Sequence, residues 1–295
     1  MTAREGTDLE GEGTDRTREQ RPHYPRLLQA IWLLVVALLV QTALTVLSEV
    51  LGRLARHPLT QHPASIAVVN LLAFGPIIIW GLRKTKAPFT DVFPCVPVRP
   101  ALFVPMGLTV IGAGILLSEC DNLLRAVLPA PPVIADLLNR LAGARTSLWG
   151  SLLVLVIVAP VTEELLFRGI ILRGFLSHYG PGKAILASAL LFALFHVNPW
   201  QFVSAAWLGA LFAWWFVRTR SLVPCLFGHA LSNGMPSIVG RVFHLNVPGY
   251  TSEMTTHVVF QPLWFDCVGL LLAGAGVWLF LRVHGRTNTA VRGGA

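Results

Sequence analysis

Charge is what this chain has least of. Only 13% of its 295 residues are Asp, Glu, Lys or Arg, against about 25% in an ordinary soluble domain. Too few charges remain to cover the surface of a soluble enzyme of this length. The four cysteines, Cys95, Cys120, Cys225 and Cys267, form no C-x-x-C pair, which removes zinc-ribbon and dithiol redox readings. Internal repeats with matching interrupted segments, the mark of many transporters, are missing. So is any basic patch interleaved with aromatics on a soluble module, so the net charge of +8 gives no reason to expect nucleic acid as a partner. What fills the chain instead is apolar: 54% hydrophobic residues and a mean hydropathy of +0.63.

Stretches approaching the 20 apolar residues needed to cross a bilayer fall at 27–47, 65–82, 101–117, 148–167, 184–197, 202–217, 222–239 and 262–281. These predict an all-α fold, a polytopic transmembrane helix bundle of about eight spans. The fifth and sixth are short and separated by Asn198-Pro199-Trp200, which leaves room for a tilted or re-entrant helix. With the N-terminus in the cytoplasm, most of the 23 Lys and Arg lie on that side, Arg83, Lys84, Lys86, Arg99, Arg168, Arg173, Lys183, Arg218 and Arg220 among them, as the positive-inside rule requires. Residues 1–25 read as a disordered polar tail, 26–284 as the membrane domain and 285–295 as a short basic tail. No cleavable signal peptide precedes the first apolar run, so that helix is expected to act as the targeting signal. Trp32, Trp80, Trp149, Trp200, Trp264 and Trp278 fall near span ends, as an aromatic belt would place them. Gly107, Gly112, Gly114, Gly269, Gly274 and Gly276 suggest close helix packing.

A few ionisable side chains interrupt the apolar runs. Glu163, Glu164 and Arg168 lie in VTEELLFRGI, His196 in LLFALFHVN and His229 in CLFGHALSNG. At mid-membrane such groups cost a few kcal/mol or more, and proteins keep them for a use. On a helix, Glu164 and Arg168 share a face and can form an ion pair. Glu163 is turned about 100° away and is left to face another helix. His229 and Asn233 share a face four residues apart, as do Phe192 and His196. Counted from the nearest cytoplasmic charges, Glu163, His196 and His229 lie roughly 14–20 Å deep at 1.5 Å per residue, so three helices can bring them to one level.

The chemistry open to such a set is hydrolysis. A carboxylate beside an imidazole can polarise a captured water and accept its proton as the water attacks a carbonyl, a role that suits Glu163 and His196. An imidazole and a carboxamide, His229 and Asn233, could donate to the resulting oxyanion, while the Glu164–Arg168 pair fixes the helix. The bland readings are helix locking by Glu164–Arg168, backbone satisfaction at a helix end by His196, and interhelical glue by His229 and Asn233.

Glu163-Glu164-x-x-x-Arg168, Phe192-x-x-x-His196 and His229-x-x-x-Asn233, in this order on successive apolar segments, resemble the CPBP family, which includes the CAAX prenyl endopeptidases and the bacteriocin-processing or Abi membrane proteins. The resemblance covers about residues 145–240, and the six motif residues match without substitution. It implies an intramembrane endopeptidase with a catalytic cavity inside the bundle, acting on a membrane-associated protein or peptide among membrane lipid. The substrate would be a CAAX-type protein, a leader peptide, a bacteriocin precursor or a membrane-anchored regulator.

The family's metalloprotease label would make Glu163, His196 and His229 candidate ligands of one divalent metal, zinc, with an open water position. There is no H-E-x-x-H, and a metal-free glutamate mechanism asks nothing more of these residues, so no cofactor is required. Other readings are a non-proteolytic immunity or scaffold protein and, more remotely, a proton-coupled transporter. The excess of 20 Arg over 3 Lys, with abundant Ala, Gly and Leu, suggests a GC-rich bacterial genome and hence the plasma membrane; in a eukaryote the expectation would be the endoplasmic reticulum. The sequence carries no signal for an oligomeric state.

Overall fold

Backbone N–H and C=O groups in hydrocarbon find no water, so each apolar segment must satisfy them internally as helix. The computed structural model describes residues 24–57, 59–141, 147–244, 247–250 and 257–292, and among these there is no strand, only one isolated bridge between Val247 and Tyr250. The helices are α1 (Leu27–Leu54), α2 (Pro63–Thr85), α3 (Phe89–Val92), α4 (Phe103–Val127), α5 (Pro132–Leu141), α6 (Leu148–His178), α7 (Pro181–Phe195), α8 (Pro199–Thr219), α9 (Val223–Arg241) and α10 (Leu263–Arg292). The expected all-α polytopic bundle is the observed architecture.

Each of the eight anticipated segments overlaps a helix, and among the described residues six helices are long and apolar enough to cross a membrane. The other two are α7 and α9. With 15 residues, α7 rises about 22 Å, short of a hydrocarbon core about 30 Å thick. In α9 the apolar run is diluted by His229, Ser232, Asn233 and Ser237. The break between α7 and α8 is local chemistry. Val197 takes a left-handed φ of 49°, the Asn198 side chain accepts from the Trp200 N–H, and Pro199 opens α8. The amphipathic α5 and the short α3 were not anticipated. Residues 1–23, most of the expected N-terminal tail, lie outside the described residues, while α10 runs on to Arg292, into the segment read as a basic tail.

Close approach of α4 and α10 depends on glycine. A Cβ on Gly112 would lie 2.3 Å from the Ala273 nitrogen, one on Gly276 2.5 Å from the Thr109 nitrogen, and one on Gly269 2.9 Å from Ile115. Gly274, by contrast, faces open space. Trp200 departs from the aromatic belt. It is buried, and its indole N–H donates to the Leu128 carbonyl at 2.7 Å, tying the start of α8 to the end of α4. Trp32, Trp80, Trp149, Trp264 and Trp278 are all exposed on the bundle surface.

The helix carrying the glutamate pair is not a regular α-helix. Within α6, Leu153–Val158 and Leu165–Leu172 are π-helical and flank the α-helical Ala159–Glu164. Wide turns of this kind are frequent at functional sites.

Candidate active site

Arg168 and Glu164 form the anticipated pair, Nη1 to Oε1 at 2.8 Å, with side chains 1% and 0% exposed. Arg168 is therefore an interior residue, and counting it among the cytoplasmic charges is corrected. Its guanidinium lies over the rings of Phe192 at 4.7 Å and Phe212 at 5.5 Å. Its Nη2 donates to the Gly209 carbonyl on α8 at 3.1 Å. Gly209 has no room for a side chain, since a Cβ would lie 3.1 Å from Phe192 and 3.2 Å from the Ala189 Cα.

A second donor reaches the same carboxylate oxygen. His229 Nδ1 lies 2.7 Å from Glu164 Oε1. A carboxylate held in an ion pair only accepts, so the proton is on Nδ1. That leaves Nε2 as the ring's other face, 3.8 Å from Glu163 Oε2. Glu163, Glu164 and His229 thus form one continuous group across α6 and α9. The ring of His229 is held by Phe212, stacked at 5.7 Å, and by the edge of Phe192 at 5.8 Å. Two carboxylate oxygens, Glu163 Oε2 and Glu164 Oε2, are buried with no hydrogen-bond partner among the described residues. The imidazole facing Glu163 is His229, whereas the sequence reading paired Glu163 with His196.

His196 ends α7, with Nδ1 2.8 Å from the Phe192 carbonyl. A carbonyl can only accept, so this ring too carries a proton on Nδ1. It packs on the Phe192 ring at 4.8 Å. Both imidazoles therefore touch Phe192, but His196 makes no hydrogen bond to either glutamate among the described residues. Asn233 lies on the α6 side of α9, as the four-residue spacing implied, yet its Nδ2 donates to the Leu155 carbonyl at 3.1 Å. Among the described residues no three His, Cys, Asp or Glu side chains come together in a group able to hold a metal ion. The donor set Glu163, His196 and His229 does not fit a zinc site in this arrangement.

Some supporting residues escaped the sequence reading. Thr162, next to Glu163, lies with Oγ1 2.8 Å from Asn70 Oδ1 of α2, a buried contact that anchors the glutamate helix to a third element. Both are polar residues in apolar runs, the same signal that exposed the glutamates. Gly228, beside His229, admits Trp215 and Phe212, whose ring atoms would lie 2.5 and 2.7 Å from a Cβ.

Fold and site together define a helical membrane protein with a buried carboxylate–imidazole centre. Residues 145–235, which carry all six motif residues, match the family model described as Type II CAAX prenyl endopeptidase Rce1-like, a similarity that supports the CPBP/CAAX protease family for this region. No curated protein and no solved structure matches the chain.

Proposed function

We propose that the protein is an intramembrane endopeptidase that hydrolyses a peptide bond in a membrane-associated protein or peptide, with Glu163 as the water-activating base. The observation that carries this reading is the Glu164–His229–Glu163 group: Glu164 fixes the imidazole through Nδ1, and Nε2 faces Glu163 Oε2. A water bound at the unpartnered Glu163 oxygen would lose its proton to that carboxylate while its oxygen attacks the scissile carbonyl carbon. The proton then passes to the departing amine. His229 positions the water and, with Arg168 close by through Glu164, sets the field in which the charge develops. No step calls on a metal. The family description supports a CAAX-type prenylated substrate, and the apolar surroundings of the site suit a lipid-modified peptide.

The test is hydrolysis of a quenched-fluorescent, farnesylated CAAX peptide by purified protein. Glu163→Gln keeps size and most hydrogen bonding but removes basicity, so turnover should fall by about 10²–10⁴-fold, the usual cost of losing a general base, with folded protein recovered in normal amount. Full activity of Glu163→Gln at normal abundance would reject the mechanism. A wild-type protein that cleaves neither this peptide nor any co-purifying partner favours the scaffold reading.

A further inference from the structure

We infer that Asn233 is a positioning residue of the glutamate helix: it supplies to the Leu155 carbonyl the hydrogen bond that Pro160 cannot give, and so holds the π turn that aims Glu163 and Glu164. In the Leu153–Val158 turn the Ala159 N–H donates to the Val154 carbonyl, five residues back. Continuing this pattern, the donor for the Leu155 carbonyl would be the N–H of residue 160. That residue is proline, which has none. Ala159 is already spent on Val154, so Leu155 is left without either of its usual helical donors. Asn233 Nδ2, reaching across from α9, fills the position at 3.1 Å.

The neighbouring residue makes that reach possible. Gly234 sits where a Cβ would lie 2.9 Å from Val156 Cγ2, so the α9 backbone comes within side-chain distance of the wide turn only because residue 234 is glycine. The stakes are high inside a bilayer, where an unsatisfied backbone group costs several kcal/mol. Relaxing the turn to α would let Ala159 serve Leu155 instead, but a change of one residue in register rotates everything downstream by about 100°. Glu163 and Glu164 are directly downstream. Without Asn233 they would swing away from His229.

The inference predicts a specific rescue, because Pro160→Ala restores the missing N–H. Asn233→Ala, Pro160→Ala and the double variant are compared with wild type for thermal midpoint in detergent and for cleavage of the farnesylated CAAX peptide. Asn233→Ala should lower the midpoint and reduce turnover by roughly 10²-fold, the scale of a small misplacement of reacting groups. Pro160→Ala should be tolerated. The double variant should recover the thermal midpoint of Pro160→Ala alone, a strong non-additivity between residues of different helices. A double variant no more stable than Asn233→Ala overturns the inference; recovery of the midpoint supports it whether or not turnover recovers, since the second N–H of the carboxamide is free to act elsewhere. The activity readout rests on the protease reading and the midpoint does not, so an inert wild type would reject that reading while the stability cycle still decides this one. Should Pro160→Ala fail to accumulate, hydrogen exchange of the Val161–Leu166 amides decides: faster exchange in Asn233→Ala supports the positioning role, and unchanged exchange overturns it.

Discussion

Arg168 is the residue on which the centre is most dependent for its fold. Its guanidinium satisfies Glu164, bonds the Gly209 carbonyl and lies between two aromatic faces. Removing one member of a buried pair leaves an uncompensated charge, at a cost of about 3–5 kcal/mol. Arg168→Ala should therefore reduce both the yield of folded protein and its thermal midpoint, in contrast to Glu163→Gln, which should change neither; immunoblotting and detergent melts separate the two. The Glu164–Arg168 pair was legible in the sequence because both ends lie on one helix at a fixed spacing. His229 on Glu164 was not, since residue counts give a group's height in the bilayer but not its direction around the helix axis. For the same reason the sequence could not show that His229 is the ring 3.8 Å from Glu163.

At the scale of elements, helices were readable from apolar runs, and their breaks from Asn198-Pro199. The wide turns in α6 were not. At the first of them Pro160 meets a carboxamide on another helix, a coincidence visible only once α9 is laid against α6. Glycine seams show the same limit. Six glycines suggested close packing, yet Gly112, Gly269 and Gly276 sit at the α4–α10 contact while Gly274 faces away. Gly112→Val should thus force backbones apart and cost at least the 1–3 kcal/mol typical of overpacking, whereas Gly274→Ala should be nearly neutral. Thermal melts of the two variants in detergent check the difference.

For the whole molecule, the division of basic residues predicts the orientation. Reporter fusions after Arg99 and after Arg220 should both read cytoplasmic; an outside signal from either would require the spans to be redrawn. Burial of Arg168 removes one charge from that balance, but Arg83, Lys84, Lys86, Lys183, Arg218 and Arg220 remain on the same predicted side. The α4–α10 seam bears on how the bundle comes into being. Gly112 meets Ala273 across more than half the length of the chain, and α10 leaves the ribosome only after α6 to α9. Until it arrives, the glycine groove of α4 faces lipid, although α6 to α9 and their buried charges are already in the membrane. The newborn protein must therefore hold the buried Glu164–Arg168 pair together before the α4–α10 seam exists, which leaves it open to quality-control proteolysis until α10 inserts.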